Sequence, residues 1–273
     1  MILLGGPAFC DSGDFDVQAK AHREWGYRAA YCPTVSLDDA SAIRAARDAF
    51  ERNGVVIAEV GAWCNMIGPE DETRTKNLDF VCRQLALADA IGARCCVDYA
   101  GTRRPNSDWF FDRANFTREV FDMIVETARS VIDRVKPTRT KFSLEVMQTS
   151  PPDSVDSYLD LIRAIDRPAF GVHLDPVNML YSPRQCYESG KLLADSVERL
   201  GPWIASCHAK DIKVTDGLSV HLDECIPGTG LLDYRTFTTA LKKLSHDVPL
   251  MFEHLSTAEE YRQARDHVAP MIG

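Results

Sequence analysis

The feature that most constrains this fold is an alternation of short apolar segments with longer amphipathic ones, repeated eight times along 273 residues. The apolar segments have the length and composition of buried strands, and the amphipathic segments have the periodicity of helices. Strict alternation of this kind predicts parallel strands joined by crossover helices. The predicted strands are residues 2–5, 27–32, 55–60, 94–99, 142–146, 170–174, 204–209 and 249–252.

Eight such units in a chain close to the roughly 250 residues of a TIM barrel favour a closed barrel over an open sheet. An open doubly wound sheet of this length usually carries a G-x-G-x-x-G motif after its first strand. Here Gly5 and Gly6 are followed at once by Pro7, and no such motif occurs. No shift in composition marks a linker. We therefore predict an α/β fold, a single-domain (β/α)8 TIM barrel over residues 1–273.

The charge balance excludes several classes of partner. A formal net charge of −9 repels phosphate backbones, so nucleic acid is not an expected partner. No apolar run approaches the roughly 20 residues that span a bilayer, and the N-terminus does not resemble a signal peptide. The nine cysteines are scattered, without a C-x-x-C pair, which argues against a disulfide framework. We expect a reduced, cytoplasmic protein that binds a small molecule, and homo-oligomerisation stays open.

Polar side chains at the carboxyl ends of barrel strands are typical of catalytic sites, because the βα loops build the active site there. Glu145, Asp175, His208 and Glu253 end the last four predicted strands. Three carboxylates gathered at one mouth would repel each other, and a divalent cation would stabilise them. Oxygen ligands with one imidazole suit Mn²⁺ best, then Mg²⁺, with Co²⁺ or Zn²⁺ possible. The alternative is four isolated strand-end residues or helix caps.

Two further residues share the strand faces of these candidates. Lys210 follows His208 by two positions and therefore points to the same side of the strand. It is a candidate catalytic group, or else a surface lysine beyond the strand end. His173 precedes Asp175 by two positions and is a candidate substrate contact, or else a hydrogen-bonded core histidine. Glu59 also lies near the mouth, although the phase of its strand is uncertain.

Several loop residues are candidate substrate contacts. Trp63 and Asn65 follow the third strand and Asp98 ends the fourth, which would place an aromatic platform beside polar groups for a sugar. His221 lies in the loop after the seventh strand and could line the same pocket. Core packing for Trp63 and a solvated loop for His221 are the alternatives. His254 follows Glu253 directly, so strand alternation predicts that it faces the helix layer.

Residues 101–111 form an unusually long predicted loop after the fourth strand. Trp109 and Phe110 could form a lid that excludes water, and Arg103 and Arg104 could bind an acidic group. A subunit interface in an oligomer would have the same composition.

Several segments resemble the xylose isomerase-like TIM barrel superfamily, which contains sugar isomerases, ketose epimerases, inosose dehydratases and apurinic endonucleases. The resemblance covers essentially the whole chain, and its motifs are specific for the superfamily but not for one activity. The segments that carry it are SLEVM, GVHLDPVNML, CHAKDIKV, PGTGLLDY and MFEHL, with GAWCN after the third strand.

The resemblance implies that Glu145, Asp175, His208 and Glu253 are the metal ligands. It also implies that the two glutamates act as an acid–base pair on the carbon next to a carbonyl. Epimerase members usually have a histidine three residues after the metal-binding aspartate; here that position is Asn178, a candidate substrate contact. The endonuclease branch needs additional histidines for three metals, and this sequence does not provide them.

The leading hypothesis is a divalent-metal-dependent isomerase or epimerase of a small sugar, keto-sugar or cyclitol, acting through an enediolate. The main alternative is a lyase or dehydratase that abstracts an α-proton and expels a β-substituent at the same site. A binding or scaffold protein on a decayed barrel is a third hypothesis. Retention of three crowded carboxylates argues against it.

Overall fold

Eight of the ten strands close into one parallel barrel in the computed structural model, which describes residues 1–273. The strands are β1 (Ile2–Gly5), β2 (Ala29–Tyr31), β3 (Val56–Gly61), β4 (Cys95–Asp98), β5 (Lys141–Glu145), β6 (Phe170–Leu174), β7 (Ile204–Ala209), β8 (Asp211–Thr215), β9 (His221–Cys225) and β10 (Val248–Phe252). Around the barrel the order is β1, β10, β7, β6, β5, β4, β3, β2, which then pairs with β1. The predicted (β/α)8 barrel is confirmed.

The helices follow their strands as the periodicity predicts. They are α1 (Phe15–Glu24), α2 (Ala40–Arg52), α3 (Asp71–Ile91), α4 (Arg118–Val135), α5 (Val155–Ile165), α6 (Pro183–Tyr187), α7 (Ser189–Leu200), α8 (Tyr234–Leu241) and α9 (Ala258–Val268). Most begin at a polar side chain that accepts backbone N–H groups, as Ser154 does before α5. Helix α3 ends at Gly92, whose φ of 81° suits a residue without a Cβ.

Periodicity and end signals in the sequence predict helices over residues 37–53 and 183–200, and the structure differs from both predictions. Helix α2 begins at Ala40 rather than Leu37, because Asp39 accepts the N–H groups of the first turn in place of Ser36. The helix expected over residues 183–200 is divided into α6 and α7 at Glu188, whose φ and ψ of −108° and 21° leave the helical region.

The barrel interior is apolar at its base and polar at its mouth. Leu3, Ala29, Ala58 and Met251 form a small buried cluster separate from the large core between strands and helices. Side chains nearer the carboxyl ends of the strands are polar, among them buried Ser143, Glu145, His173, Ser206 and His208. The polar residues therefore lie above a packed floor, as expected for a barrel that is a core and not a pore.

An antiparallel hairpin of β8 and β9 replaces the loop that was predicted after the seventh strand. Asp211 accepts hydrogen bonds from the backbone of Gly228, Gly230 and Leu232, which ties the start of the hairpin to the segment that follows it. The hairpin brings Glu224 of β9 to within 3.5 Å of Lys210, at the mouth of the barrel.

None of the helices combines the length and the apolar character needed to cross a membrane.

Candidate metal centre and adjoining cavity

The four predicted ligands come together at the carboxyl ends of β5, β6, β7 and β10. Nδ1 of His208 lies 2.9 Å from Oε1 of Glu145, 2.7 Å from Oε1 of Glu253 and 3.7 Å from Oδ2 of Asp175. One ligand atom from each of the four residues lies within 4.8 Å of every other. Because these strands are neighbours in the barrel, the convergence follows from the order of the strands.

The charged side chains of this cluster shift one another's pKa values. Burial alone would lower the pKa of His208, but the facing carboxylates of Glu253 and Glu59 raise it well above its ordinary value. Burial would likewise lower the pKa of Lys210, and the nearby carboxylates raise it instead. The Lys210 ammonium lies 2.7 Å from Oδ2 of Asp175 and 2.6 Å from Oε1 of Glu253. The cluster therefore gathers three carboxylates around His208 and Lys210, an arrangement that a divalent cation would stabilise further.

The donor set fits a divalent cation. Oε1 of Glu253 is buried, and its only close cationic neighbours are Nδ1 of His208 at 2.7 Å and the Lys210 ammonium at 2.6 Å. Two ligands on opposite sides of Mg²⁺ are about 4.2 Å apart, because each bond is about 2.1 Å long. The spacing of up to 4.8 Å between ligand atoms is compatible with this geometry after small side-chain adjustments. Three carboxylates and one imidazole also suit Mn²⁺.

A second buried carboxylate, that of Glu59, contacts His208 at the ring nitrogen that faces away from the cluster. Oε2 of Glu59 lies 3.3 Å from Nε2 of His208, and Oε1 of Glu59 accepts from Ser206 and lies 3.0 Å from Nε2 of His173. Because carboxylates can only accept, the Glu59 contact keeps a proton on Nε2 of His208, and a metal would bind at Nδ1 by replacing the proton that faces Glu145 and Glu253. Burial would raise the pKa of Glu59, but the two imidazoles lower it below its usual range.

The sequence left the role of Glu59 open because the strand phase was uncertain. The structure gives the reason: the pairing of β2 with β3 slips between Ala30 and Tyr31, so that Tyr31 pairs with Glu59. Such an irregularity changes the alternation of side chains along the strand. A charged residue inside the apolar segment VIAEVG was the one available signal.

A cavity of about 700 Å³ opens directly above the cluster. Of the residues predicted as catalytic or substrate-binding, Glu145, Glu253, Lys210, Asn178 and Trp63 line it. Asn65, Asp98, His173 and His221 do not. A second cavity of about 440 Å³ lies at the opposite end of the barrel, beside Arg28, Arg94 and Arg139, and contains no comparable carboxylate cluster.

Asn65 and Asp98 hold loops instead of facing the cavity. The amide of Asn65 donates to the carbonyl groups of Thr102 and Ser107, and its Oδ1 accepts from the Thr102 N–H. Oδ1 of Asp98 accepts the N–H groups of Cys64 and Tyr99. Both side chains are buried, because loop backbone that enters the protein needs polar partners. Their placement contradicts the expected substrate contacts.

The two histidines are also displaced from the expected contacts. His173 is fully buried beneath His208, with ring centroids 4.2 Å apart. This matches the hydrogen-bonded core position that was its alternative. His221 is exposed at the far end of the hairpin, where it pairs with Thr215.

Of the carboxylate and imidazole side chains that line the cavity, Glu224 and His254 are the two that the sequence did not assign to the site. The expectation that His254 faces the helix layer is wrong. Its φ of 59° ends the strand alternation and turns the ring toward the mouth, where Nδ1 lies 2.9 Å from Oε2 of Glu224. No local sequence signal reveals these positions, because that of Glu224 depends on the β8–β9 hairpin and that of His254 on an unusual backbone angle.

The 101–111 loop contributes Trp109 and Phe111 to the cavity wall. The guanidinium of Arg103, expected to bind an acidic group, instead donates to the carbonyl groups of Ile67 and Gly68. Arg104 lies over the ring of Phe110, 4.6 Å from its centroid. The side chains of Arg103 and Arg104 therefore stabilise the loop and its contacts with residues 67–68.

Comparison with known proteins agrees with this architecture. Residues 19–271 match the model of the family described as xylose isomerase-like TIM barrel. No curated protein sequence matches the chain.

Solved structures with this fold share little sequence with the chain. The probable 3-DHS dehydratase AsbF from Bacillus anthracis is 17% identical, with a TM-score of 0.71 over 100% of this chain and 99% of that one. D-psicose 3-epimerase with D-tagatose from Clostridium cellulolyticum H10 is 14% identical, with a TM-score of 0.69 over 99% of each chain. A xylose isomerase-like TIM barrel protein from Mycobacterium smegmatis in complex with magnesium is 16% identical, with a TM-score of 0.68 over 99% of this chain and 96% of that one. At these identities the likeness establishes the fold alone.

Proposed function

The chain belongs to the xylose isomerase-like TIM barrel family, and on this premise we propose that it is a divalent-metal-dependent isomerase or epimerase of a small sugar, keto-sugar or cyclitol. The observation that carries the proposal is the convergence of Glu145, Asp175, His208 and Glu253 below an open cavity. The structural neighbours include an epimerase and a protein in complex with magnesium, which is consistent with the proposal.

In this proposal the four residues hold one divalent ion, with Mn²⁺ as the first candidate and Mg²⁺, Co²⁺ or Zn²⁺ as alternatives. Such an ion would supply Lewis acidity that polarises adjacent carbonyl and hydroxyl oxygens and stabilises the charge of an enediolate. Glu59 would keep Nδ1 of His208 directed at the ion, because Nε2 donates to Glu59.

Glu145 and Glu253 would transfer the protons. They extend from β5 and β10, which lie at the two ends of the arc β5, β6, β7, β10, so their carboxylates approach the cluster from its two ends. One would remove the proton next to the carbonyl, and the other would return a proton to the opposite face. Lys210, buried between Asp175 and Glu253, would stabilise negative charge on the substrate oxygens.

Asn178 and Trp63 are the proposed substrate contacts on this chain. The Asn178 amide donates to the carbonyl of Val146 and lies 3.3 Å from Oδ2 of Asp175, beside the cavity. It can hydrogen-bond a hydroxyl group but cannot transfer a proton at neutral pH. Trp63 lies above His208, with ring centroids 6.5 Å apart, and can stack on a sugar ring.

A lyase or dehydratase is the second candidate, and Lys210 favours it. Its ammonium is held inside the site and could protonate a departing β-hydroxyl or glycosyl oxygen after the α-proton is removed. Asn178, which stands where epimerases carry a histidine, removes one proton carrier from the leading mechanism. The first steps of the two reactions are the same, and they differ only in the fate of the enediolate.

The proposal also covers the partners and the cellular location of the protein. A small polyhydroxylated substrate is the expected partner, without nucleic acid or membrane. All nine cysteines are free in the structure, which suits the cytoplasmic setting predicted from the sequence.

The test is incubation with ketoses, inososes and 3-keto sugars in D₂O with Mn²⁺. Incorporation of deuterium at carbon would demonstrate enolisation, and product analysis would separate epimerisation, isomerisation and elimination. Exchange should fall by roughly 10²–10⁴-fold in Glu145→Gln and Glu253→Gln. If no substrate of the panel exchanges and no divalent ion binds stoichiometrically, the proposal is wrong.

A further inference from the structure

The mouth of the barrel is divided into two chemically different halves. The ligand-bearing strands β5, β6, β7 and β10 are contiguous, so they occupy one half of the rim. The other half is formed by β1 to β4 and the loops that follow them, with α9 beside it. Both halves border the same 700 Å³ cavity.

The half with the cluster carries the charged side chains of the cavity. Besides Glu145 and Glu253, it presents Lys210, Glu224 and His254. The other half presents no charged side chain and no amide to the cavity. Its lining residues are Pro7, Tyr31, Trp63, Tyr99, Trp109, Phe111 and Tyr261. Asp98, at the end of β4, turns away from the cavity and accepts hydrogen bonds from loop backbone.

The aromatic residues of this half are held in place without being buried. Trp63, Trp109 and Phe111 are 42%, 49% and 51% exposed. A Cβ at Gly61 would lie 2.2 Å from Nε1 of Trp63, so the glycine permits the indole to fold back over the mouth. The φ of 39° at Trp63 itself is a conformation that costs free energy and is typical of functional sites.

The loop that carries Trp109 and Phe111 is anchored along its length. Asn65 binds Thr102 and Ser107, and buried Asn115 accepts from the Arg103 N–H and donates to the Thr149 carbonyl. Thr149 itself lines the cavity, so the loop is fastened to the wall opposite the aromatic half. Exposed aromatic rings on an anchored loop provide a rigid platform with little entropy left to lose on binding.

A free polyol is a poorer match to this half, because the only polar side-chain groups there are tyrosine hydroxyls and indole N–H groups, and the Tyr31 hydroxyl already donates to the carbonyl of Phe252. The cavity volume is in the upper part of the roughly 300–1,000 Å³ range of small-molecule sites, which leaves room beyond one sugar ring. Planar aromatic groups, by contrast, stack favourably on indole and phenyl rings.

We infer that the substrate has two parts: a polyhydroxylated ring that faces the carboxylate cluster, and a planar apolar substituent that stacks on Trp109 and Phe111. The natural substrate class is then a glycoside or similar conjugate with an aromatic aglycone. This inference rests on the proposed function, since it assigns the sugar ring to the metal half. It makes Trp109 and Phe111 determinants of specificity.

The experiment compares two probes that differ only in the substituent, the 3-keto forms of phenyl and methyl β-D-glucoside. Their kcat/KM for deuterium exchange is measured with the Mn²⁺-loaded protein in D₂O. We expect the phenyl probe to be favoured about tenfold or more, which corresponds to about 1.4 kcal/mol. Trp109→Ala and Phe111→Ala should reduce this ratio toward one, and Trp109→Phe should retain most of it.

Phe116→Ala is the matched control. Phe116 is 51% exposed, like Phe111, and follows the same loop, but it does not line the cavity. Its replacement should leave the ratio of the two probes unchanged. A ratio that falls equally in the Phe116 and Phe111 variants would overturn the inference.

Further outcomes separate this inference from the proposed function. If both probes exchange at equal kcat/KM, the proposed function stands and the inference is wrong. If neither probe exchanges, calorimetry measures the binding of phenyl and methyl β-D-glucoside and so tests the aromatic subsite without turnover. A tenfold preference for the phenyl compound that Trp109→Ala abolishes supports the aromatic subsite, and equal or absent binding refutes it. If Trp109→Ala converts an oligomer to a monomer and the wild-type ratio is one, the surface is a subunit interface and the inference is wrong.

Discussion

Glu59 and His208 form a fully buried pair in which Oε2 of the carboxylate lies 3.3 Å from Nε2 of the imidazole. The pair decides which ring nitrogen faces the cluster. With Nε2 donating to Glu59, Nδ1 is left for the three carboxylates, or for a cation among them.

Replacing Glu59 should therefore weaken metal binding although Glu59 is not itself one of the four ligands. In Glu59→Gln, one amide oxygen remains, but the NH₂ group cannot accept from His173, His208 or Ser206. We expect Mn²⁺ affinity to fall by roughly 10–100-fold, measured by calorimetry. Glu126→Gln, on the exposed face of α4, is the control and should bind as the wild type does. Unchanged affinity in Glu59→Gln would refute an orienting role.

Metal addition and removal should change the stability of the fold. A ligand at 100 times its Kd stabilises the folded state by about 2.7 kcal/mol, so saturating Mn²⁺ should raise Tm by roughly 5 °C or more over the chelated protein. Asp175→Asn should abolish the increase, while its retained Oδ1 can still accept from the Val177 N–H. An equal rise of Tm in the variant would show that Mn²⁺ acts elsewhere.

Asp98 should give a pH-dependent contribution to stability. Burial raises its pKa well above the ordinary value, against the lowering effect of the Cys64 and Tyr99 N–H groups. The folded state then binds more protons than the unfolded state, so this residue's contribution declines as pH rises above about 4 toward the folded pKa.

Asp98→Asn keeps an Oδ1 acceptor for both N–H groups and cannot ionise. Its stability relative to the wild type should therefore improve as pH rises, in urea denaturation between pH 4.5 and 8. Asp98→Ala should cost about 1–3 kcal/mol, because two loop N–H groups lose their partner. If the stability difference between Asp98→Asn and wild type does not vary with pH, the carboxyl group does not titrate as described.

Gly61→Ala should displace Trp63 from the mouth. The added Cβ would lie 2.2 Å from the indole Nε1, and overpacking of this kind costs typically about 1–3 kcal/mol. The expected result is a lower Tm, a changed tryptophan emission spectrum and a lower kcat/KM for exchange. Gly13→Ala, where a Cβ meets nothing within 4 Å, is the control. Wild-type emission in the Gly61 variant would show that the ring position does not depend on this glycine.

Much of the fold could be predicted because its signals are local. Segments that form β1, β6 and β7 were predicted with their observed limits. The errors at α2 and at Glu188 came from competing caps and from a short break that hydrophobic periodicity does not register. The β8–β9 hairpin was missed because its strands are short, polar and largely exposed.

Some residues of the candidate site could be predicted from the sequence, and others could not. Glu145, Asp175, His208 and Glu253 could be brought together from the sequence, since each ends a strand and neighbouring parallel strands end at one rim. Glu224 and Glu59 could not be placed in the same way. The position of Glu224 depends on the pairing of β8 with β9, and that of Glu59 on a slip in the pairing of β2 with β3.

The sequence by itself determined the barrel and the convergence of its four candidate ligands, because the alternation of strands and helices and the strand ends can be recognised in short segments. Only the tertiary structure decided that Asn65 and Asp98 hold loops, that His254 faces the cavity, and that aromatic residues occupy the half of the mouth opposite the cluster. These features depend on single backbone angles, on buried N–H groups that need acceptors, and on the closing of β1 against β10. Contacts of that kind join residues far apart in the chain, and no local pattern encodes them.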